Sequence, residues 1–473
     1  MHLRNTKIVA TLGPASGTPE ILRAMVEAGM NVARLNFSHG KHEDHLGRIR
    51  MLRQVSKETG KVLAVLQDLS GPKLRIGELP DGPAPLTTGA EVILSARLEK
   101  GSAERLPIAS CPWLPQEVQE GQRIFLNDGL IQLKVRSTRV EEVVCEVVAG
   151  GTISSHKGIN LPDTHLRQLQ IPTEKDQVDL QFGLQHEVDY VALSFVRTAE
   201  DVRNLRELIQ RAGSKARIIA KIEKNEALTN IEAIVAETDG VMVARGDLGV
   251  ETDLEMVTLK QKEIISRCND GGKVVITATQ MLESMIQNPT PTRAEVSDIT
   301  NAIFDGTDAV MLSGETAVGR FPVESVRVMA KVANKAEEVF DSENFLKRRA
   351  LAESASSAAV AHAACLLAKE LSAAAIIANT ESGHTALMVS RFRPGTPVLG
   401  MSRNETTVRQ LALVWGVHPT LMPSISSTDE LVDQSLGIAR RSGLVKPGDR
   451  VVITAGVPVG QAGSTNLIEV ITA

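Results

Sequence analysis

RIIAKIEKNEALTNIEAIVAETDGVMVARGDLGVE, residues 217–251, is the stretch that decides the fold. Its apolar runs predict a strand over 217–222, a helix over about 227–236 and a second strand over 240–244. This order of elements is typical of a parallel α/β protein, in which the carboxyl ends of neighbouring strands meet at one edge.

Three charged residues fall at that edge. Lys221 and Glu223 come at the end of the first strand, and Asp247 follows the second strand. Two carboxylates beside an ammonium suit a hard divalent cation such as Mg²⁺ together with a phosphate. Taken alone, the same three residues also fit a purely structural network of ion pairs.

Composition narrows the class of protein. The chain has 473 residues, 42% of them hydrophobic and 23% charged, which is typical of a soluble globular protein. A net charge of −5 and an aromatic content of 3% argue against nucleic acid as a partner. The four cysteines form no CxxC pair, so we expect reduced thiols and a cytoplasmic location.

The sequence indicates no membrane partner. Its first residues have no apolar segment of the kind found in signal peptides. The alanine-rich residues 352–371 come nearest to a transmembrane segment, but they include Glu353, His362 and Lys369. We therefore predict a buried amphipathic helix there.

Strand and helix patterns alternate along most of the chain. Helices are predicted to begin at Thr18 and Thr173, which are typical N-cap residues. Eight strands each followed by a helix imply a (β/α)₈ TIM barrel. The predicted strands are 7–12, 31–36, 62–67, 190–195, 217–222, 240–244, 273–279 and 309–313.

Two regions depart from this alternation. Residues 72–167 show only β-rich runs, at 91–94, 131–135 and 143–148, with a hairpin turn at Asn127-Asp128-Gly129. They predict a small inserted β-barrel module without helices. A C-terminal open α/β sheet is expected to include strands 373–378, 397–401 and 451–455. The predicted domains are 1–71 with 168–345, 72–167, and 346–473.

Polar residues follow almost every predicted barrel strand. Because the carboxyl ends of the strands meet at one rim, we expect these side chains to converge. Such a set suits phosphoryl transfer, which depends on positioning and charge neutralisation. The residues are Arg34, Asn36, Ser38, Asp68, Arg75, Lys221, Glu223, Asp247, Thr279, Ser313 and Glu315.

Six motifs in order give the chain a resemblance to the pyruvate kinase family. They span about residues 6–324, and the inserted module and the C-terminal domain agree with the family's organisation. The motifs are TKIVATLGPAS (6–16), MNVARLNFSHG (30–40), KIE (221–223), MVARGDLGVE (242–251), TATQMLESM (277–285) and MLSGET (311–316).

The resemblance implies a role for each matching residue. The expected catalytic residues are Lys221, Thr279 and Arg34, and Glu223 and Asp247 would bind Mg²⁺ or Mn²⁺. Phosphoenolpyruvate would contact Arg34, Lys221, Ser194, Phe195, Ala244, Arg245, Gly246, Asp247, Thr279, Ser313 and Glu315. ADP would contact Asn36, His39, Arg75 and Lys157, with Asp128 as a further candidate from the insert.

One segment departs from the family pattern. DLSGPKLR, residues 68–75, stands where the family usually reads DTKGPEIR. In the usual form a K⁺ ion is bound by residues that correspond to Asn36, Ser38, Asp68 and Leu69. Lys73 stands at the position of the glutamate, and its ammonium carries the same charge as K⁺. We therefore expect activity without K⁺.

The resemblance also implies regulation and assembly. The inserted module would close as a lid over the site. Thr380-Glu381-Ser382-Gly383-His384-Thr385, between a predicted strand and helix, would bind AMP or a sugar monophosphate as an activator. A homotetramer is expected, with the alanine-rich helix and the final strand as candidate contacts.

Two other functions remain open from the residues. A barrel lyase acting on the enolate of pyruvate or oxaloacetate would keep the metal carboxylates but would need neither the lid nor Lys157. A regulatory protein that binds phosphometabolites would tolerate the loss of Lys221 or Thr279, and both are present.

Overall fold

Eight parallel strands close into a barrel in the computed structural model, which describes residues 3–166, 168–348, 356–425, 427–457 and 465–473. All eight predicted barrel strands are confirmed, and the first pairs with the eighth to close the circle. The strands are Lys7–Thr11, Val32–Asn36, Ala64–Asp68, Tyr190–Leu193, Arg217–Ile222, Gly240–Ala244, Val274–Ala278 and Ala309–Leu312.

Helices pack around the barrel. The predicted N-caps are confirmed, since Thr18 accepts from the backbone N–H of Ile21 and Thr173 from that of Asp176. The main helices are Pro19–Ala28, His42–Thr59, Glu174–Gln185, Ala199–Arg211, Asn225–Thr229, Ile231–Glu237, Leu254–Asp270, Arg293–Asp305 and Pro322–Glu337. Shorter ones are Pro14–Ser16, Arg245–Glu251, Glu283–Ile286, Gly314–Ala317 and Ser342–Arg348.

The single helix expected over 227–236 was wrong. Asn230 divides this segment into Asn225–Thr229 and Ile231–Glu237. The Asn230 side chain donates to the carbonyl of Arg197 at 3.0 Å and to that of Glu226 at 3.2 Å. A side chain that bonds nearby carbonyls competes with helical hydrogen bonding, so the helix stops and restarts there.

The lower rim of the barrel, where the strands begin, repeats one device four times. An acidic or amide side chain before each even-numbered strand accepts the backbone N–H of a residue in the preceding strand. These residues are Asn31, Asp189, Asp239 and Asp308, and the distances are 3.0, 2.8, 2.9 and 2.9 Å. The device satisfies backbone donors at the ends of the strands.

The inserted module has its own hydrophobic core and two sheets, of six and two strands. Asn127, Asp128 and Gly129 have φ of 52°, 54° and 87°, which confirms the predicted turn. A short helix, Leu114–Glu117, was not expected. The strands are Ala84–Leu86, Glu91–Ser95, Arg105–Pro107, Arg123–Leu126, Ile131–Thr138, Glu142–Ala149, Gly151–Ile153 and Ile159–Asn160.

The C-terminal region is an open five-stranded sheet with helices. Its strands, in spatial order, are Val417–Leu421, Val398–Ser402, Ala375–Asn379, Arg450–Ala455 and the antiparallel Leu467–Thr472. The helices are Ser356–Glu370, His384–Ser390, Glu405–Leu411 and Thr428–Arg441. The alanine-rich helix therefore covers 356–370, and residues 352–355 lie outside the described residues. No helix in the described part of the chain has the length and apolar character needed to cross a membrane.

This C-terminal region docks on the lower rim through a shared hydrophobic core and a buried arginine. Arg393 is 1% exposed, and its guanidinium contacts both carboxylate oxygens of Asp308 at 3.0 Å. It also donates at 2.7 Å to the side chain of Asn269 and the carbonyl of Gly306. Because Asp308 belongs to the repeated device of the rim, the docking contact and the barrel support each other.

We predict that Arg393→Met lowers the free energy of unfolding by about 3–5 kcal/mol, because it leaves a buried carboxylate without its cation. Urea denaturation followed by circular dichroism measures the change. Arg403→Met, which removes the partly exposed ion pair with Glu381, is the control and should cost under about 1 kcal/mol. Equal losses in the two variants would contradict the prediction.

Candidate active site

A buried cation lies at the upper rim of the barrel, where the strands end. Lys221 is 9% exposed. Its ammonium lies 3.2 Å from Oδ1 of Asp68 and 2.8 Å from Oε1 of Glu223, and it donates to Oγ of Ser194 at 2.7 Å. Asp68 ends the third strand, Ser194 follows the fourth and Lys221 lies in the fifth. Three neighbouring strands thus bring these side chains into one cluster.

Opposite charges favour the ionised forms of Lys221 and Asp68. Burial alone would lower the pKa of Lys221, but Asp68 and Glu223 outweigh burial and raise that pKa above its ordinary value. Burial likewise opposes ionisation of Asp68, yet Lys221 and Arg34 hold the pKa of Asp68 below its ordinary value. The ammonium therefore stays charged across the physiological pH range.

Arg34 extends the cluster to the second strand. Its Nε donates to Oδ2 of Asp68 at 2.6 Å, and one terminal nitrogen donates to Oγ1 of Thr11 at 2.9 Å. Asp68 thus holds two cations, one on each carboxylate oxygen. Two cations facing a common space can neutralise the charge of a phosphoryl group.

Glu223 of this cluster and one further carboxylate, Asp247, suit a divalent cation. Burial raises the pKa of Glu223 above its ordinary value, with Lys221 opposing this shift and the Asp247 carboxylate adding to it. A cation shared by Glu223 and Asp247 would relieve this repulsion. Among the described residues, no three His, Cys, Asp or Glu side chains group to hold a metal. A pair of carboxylates is a ligand set that Mg²⁺ typically takes, with water and substrate oxygens completing its shell.

Hydrogen bonds join the turns after the sixth and seventh strands. The backbone N–H of Gly246 donates to Oγ1 of Thr279 at 2.8 Å, and Thr279 has φ of 67°, which is unusual for a β-branched residue. The guanidinium of Arg245 contacts Asp298 and the carbonyl of Thr279, both at 2.7 Å. The Arg245 side chain thus fixes the turn, and its expected contact with substrate stays a prediction.

Glu315 has a similar supporting position. Its two carboxylate oxygens accept from the backbone N–H groups of Leu282, at 3.0 Å, and Ser313, at 2.7 Å. These two hydrogen bonds hold the loops after the seventh and eighth strands together, and the substrate contact expected for Glu315 stays a prediction. By contrast, the buried Ser313 hydroxyl has no hydrogen-bond partner among the described residues.

Ser194 and Phe195 lie beside the cluster. The hydroxyl of Ser194 donates to the carbonyl of Leu69 at 2.6 Å while it accepts from Lys221. The backbone N–H of Phe195 donates to Oε2 of Glu223 at 2.7 Å, and its φ of 57° aims this N–H at the carboxylate. Both residues thus orient the charged groups.

Comparison with known proteins identifies the family. A model of the pyruvate kinase barrel domain matches residues 3–326, and a model of the pyruvate kinase alpha/beta domain matches residues 358–471. The chain belongs to the pyruvate kinase family. It is therefore a phosphotransferase, and its family acts on phosphoenolpyruvate and ADP in glycolysis. This finding favours the kinase over the lyase and the regulatory protein that the residues left open.

Individual relatives agree over nearly the whole chain. A pyruvate kinase of Geobacillus stearothermophilus is 47% identical over 99% of this chain and 80% of the relative. A pyruvate kinase of Staphylococcus aureus strain MRSA252 is 44% identical over the same shares. The crystal structure of a Cryptosporidium parvum pyruvate kinase superposes with a TM-score of 0.94 at 35% identity, covering 99% of this chain and 96% of that one.

The residues expected to bind nucleotide and monovalent cation form a looser group in this pyruvate kinase. Asn36 accepts from the backbone N–H of Ser38 at 3.1 Å, and His39 is exposed. Arg75 donates to the carbonyl of His156 at 2.8 Å, which places it beside Lys157 of the insert. Asp128 is exposed on the hairpin turn, and Leu69 is buried.

Lys73 is exposed at the start of the insert. Its ammonium makes no hydrogen bond or ion pair with any residue that the structure describes. It lines a narrow cleft between the insert and the barrel, and Asp247 lines the same cleft. A positive charge at residue 73 therefore lies on the side of the site that faces the insert.

The proposed effector residues lie far from this rim. Thr380–Thr385 connect the strand Ala375–Asn379 to the helix His384–Ser390. Thr380 accepts from the backbone N–H of Gly383 at 2.9 Å, and Glu381 pairs with Arg403 at 2.9 Å. The carbonyl of Ser382 accepts from Arg217, at the start of the fifth barrel strand.

Sequence analysis missed one buried ion pair at the upper rim. Lys224 and Glu251 contact each other at 2.8 Å and are 6% and 2% exposed. Each lies close in sequence to an expected metal ligand, Glu223 or Asp247. That adjacency was the available signal, but 27 residues separate the two partners and no helical or strand period relates them.

Proposed function

We propose that this pyruvate kinase transfers the phosphoryl group of phosphoenolpyruvate to ADP at the rim cluster, in a reaction that requires Mg²⁺ or Mn²⁺. The observation that supports the proposal is the buried Lys221 ammonium between the carboxylates of Asp68 and Glu223. A preorganised charge in a site shielded from water stabilises a transition state more than it would in bulk solvent.

Each residue then has a distinct role. Arg34 and Lys221 hold the phosphoryl group, while the backbone at Gly246 and Asp247 and the Thr279 hydroxyl hold the substrate carboxylate. A metal ion on Glu223 and Asp247 would supply positive charge to the oxygens of the enol phosphate. The bond from phosphorus to the enol oxygen breaks as a bond to the ADP phosphate oxygen forms. The enolate is then protonated by a water molecule that Thr279 orders.

Nucleotide contacts complete the proposal. Asn36, His39, Arg75 and Lys157 would bind ADP, with Asp128 as a further contact. Arg75 and Lys157 come from the inserted segment, and His39 follows the second barrel strand, so a nucleotide between them would touch both domains. In-line transfer requires this alignment of donor and acceptor oxygens.

We predict that Lys221→Met lowers kcat by about 10³-fold or more but leaves Mn²⁺ binding intact, because the metal ligands remain. Glu223→Gln should lose both activity and Mn²⁺ binding. Pyruvate formed from phosphoenolpyruvate, with and without ADP, measures activity, and calorimetric titration with Mn²⁺ measures binding. Lys260→Met, at a partly exposed ion pair with Glu263, is the control. Pyruvate formation that needs no ADP would contradict the proposed reaction.

We infer that Lys73 removes the need for K⁺. In the usual form of the family one positive charge comes from a K⁺ ion bound by residues that correspond to Asn36, Ser38, Asp68 and Leu69. Here Lys73 lies close to the last two of these in sequence, at the start of the insert, and its ammonium would supply a positive charge from the side of the cleft that Asp247 also lines. Because the Lys73 ammonium is part of the chain, the enzyme would not have to bind a free K⁺ ion to obtain this positive charge.

The corresponding test uses enzyme freed of K⁺, assayed in a tetramethylammonium salt. We expect KCl to activate the wild type by less than about tenfold, and Lys73→Glu to become dependent on K⁺, since it replaces the fixed positive charge by a negative one. Lys134→Glu, on an exposed position of the insert, makes the same charge change and should not create dependence. Activation of the wild type by about tenfold or more would overturn the inference.

We also propose a cytoplasmic homotetramer. The four cysteines are free and buried, which fits a reducing compartment. Leu254, Leu259 and Phe304 are 77%, 58% and 44% exposed on neighbouring barrel helices. Among the residues that the structure describes, the final strand, Leu467–Thr472, pairs on one side only. Exposed apolar side chains and a free sheet edge both favour contact with further copies of the chain.

AMP or a sugar monophosphate is the proposed activator, bound at Thr380–Thr385. We predict that ribose 5-phosphate, glucose 6-phosphate or AMP makes saturation by phosphoenolpyruvate less sigmoidal, because binding at one domain of a tetramer shifts all sites together. The Hill coefficient measures the effect, sedimentation measures the tetramer, and unphosphorylated ribose is the control. Fructose 1,6-bisphosphate should act less well. No response to any of the three activators would remove the hypothesis.

A further inference from the structure

Lys224 and Glu251 form a buried ion pair that the proposed reaction does not use. The ammonium of Lys224 lies 2.8 Å from Oε2 of Glu251. Both side chains are more than nine-tenths buried although they belong to surface turns at the upper rim. Removing two charges from water is costly, so the pair needs further hydrogen bonds to be stable.

The position of the pair links the two proposed metal carboxylates. Lys224 directly follows Glu223 at the end of the fifth strand. Glu251 lies four residues after Asp247 in the helix Arg245–Glu251, so these two carboxylates project from the same face of that helix. The ion pair therefore bridges the turns after strands five and six.

The inserted module supplies the further hydrogen bonds that this buried ion pair needs. The side-chain amide of Asn160 donates to Oε1 of Glu251 at 3.1 Å, and the carbonyl of Leu161 accepts from Lys224 at 3.4 Å. The cavity between the module and the rim at this point measures only about 20 Å³, room for about one water molecule. The module thus covers the pair.

The hairpin turn of the module also lies close to this helix. A Cβ placed on Gly129, in the hairpin turn, would lie 3.4 Å from a methyl group of Val250. The hairpin and the strand Ile159–Asn160 therefore both meet the end of the helix that begins with Arg245 and Gly246. Lifting the module away would expose Lys224 and Glu251 together and break both bonds.

We propose that Lys224, Glu251 and Asn160 form a latch that holds the inserted module closed over the site. They are positioning residues, since none contacts the reacting atoms. This inference rests on the proposed reaction and on closure of the module during it. A closed module excludes water, so the latch sets how much phosphoryl group passes to ADP rather than to water.

The hydrolytic leak has a defined chemistry. A water oxygen attacks phosphorus, the bond from phosphorus to the enol oxygen breaks, and inorganic phosphate leaves with the water's oxygen. The enolate takes up a proton to give pyruvate. Pyruvate formed in excess of ATP, matched by free phosphate, therefore reports an open module.

The first test is Asn160→Asp, which puts a carboxylate against Oε1 of Glu251. We expect kcat to fall about tenfold, from the loss of a hydrogen bond to a charged group, and the ratio of pyruvate to ATP to rise above one. Amide hydrogen exchange at residues 157–161 should accelerate. Gln119→Glu, on an exposed position of the same module, makes the same charge change and should alter neither ratio nor exchange.

The second test is a rescue. In Asn160→Asp combined with Glu251→Gln, the carboxylate at position 160 can accept from the amide at position 251, and Lys224 again faces a negative charge. We expect the double variant to recover to within about threefold of wild-type kcat and to a ratio of one. A thermal melt of each variant checks folding, and Asn160→Ala replaces any Asn160→Asp protein that does not fold.

The outcomes separate this inference from the proposed function. If the wild type forms no pyruvate in an ADP-dependent way, the proposed reaction fails. If the wild type does form pyruvate in an ADP-dependent way, but Asn160→Asp keeps a pyruvate-to-ATP ratio of one, the proposed latch is refuted while the proposed reaction stands. Additive losses in the double variant also overturn the latch.

Discussion

The site depends on one constraint, which is that the Lys221 ammonium must remain charged although it is almost removed from water. Burial opposes that charge, and only Asp68 and Glu223, at 3.2 and 2.8 Å, restore it. The two carboxylates come from the third strand and from the turn after the fifth, with the fourth strand between them in the barrel. Closure of the barrel is therefore a condition for the cluster, and the charges follow from the fold.

Acidic side chains accept backbone N–H groups at both rims of the barrel, and at the upper rim they also surround the buried Lys221 ammonium. At the lower rim Asp189, Asp239 and Asp308 each accept a backbone N–H of a neighbouring strand, and arginines hold them in place. At the upper rim Asp68 and Glu223 hold cations, and Asp247 adds to the negative charge around Glu223. Strand direction places these cations, because the carboxyl ends of all eight strands, with the residues that follow them, meet at the upper rim.

Much of the fold could be predicted because local sequence determines it. Short apolar runs bounded by turns located all eight barrel strands, and Asn127-Asp128-Gly129 located a hairpin. The break at Asn230, the supporting contacts of Glu315 and the pair of Lys224 with Glu251 could not be predicted. Each depends on a partner that is distant in sequence or on a side chain that turns towards its own backbone. Periodicity carries no information about such contacts, whereas residues at strand ends are brought together by topology alone.

The fifth barrel strand is where the three parts of the chain meet. Arg217, at its start, holds the carbonyl of Ser382 in the C-terminal sheet region. Lys221 and Glu223, at its end, belong to the rim cluster, and Lys224 bonds the inserted module. A six-residue strand spans only about 20 Å and is held by hydrogen bonds on both sides. The C-terminal region and the inserted module therefore contact the two ends of one stiff element rather than a flexible loop, with the charged residues of the rim cluster between them.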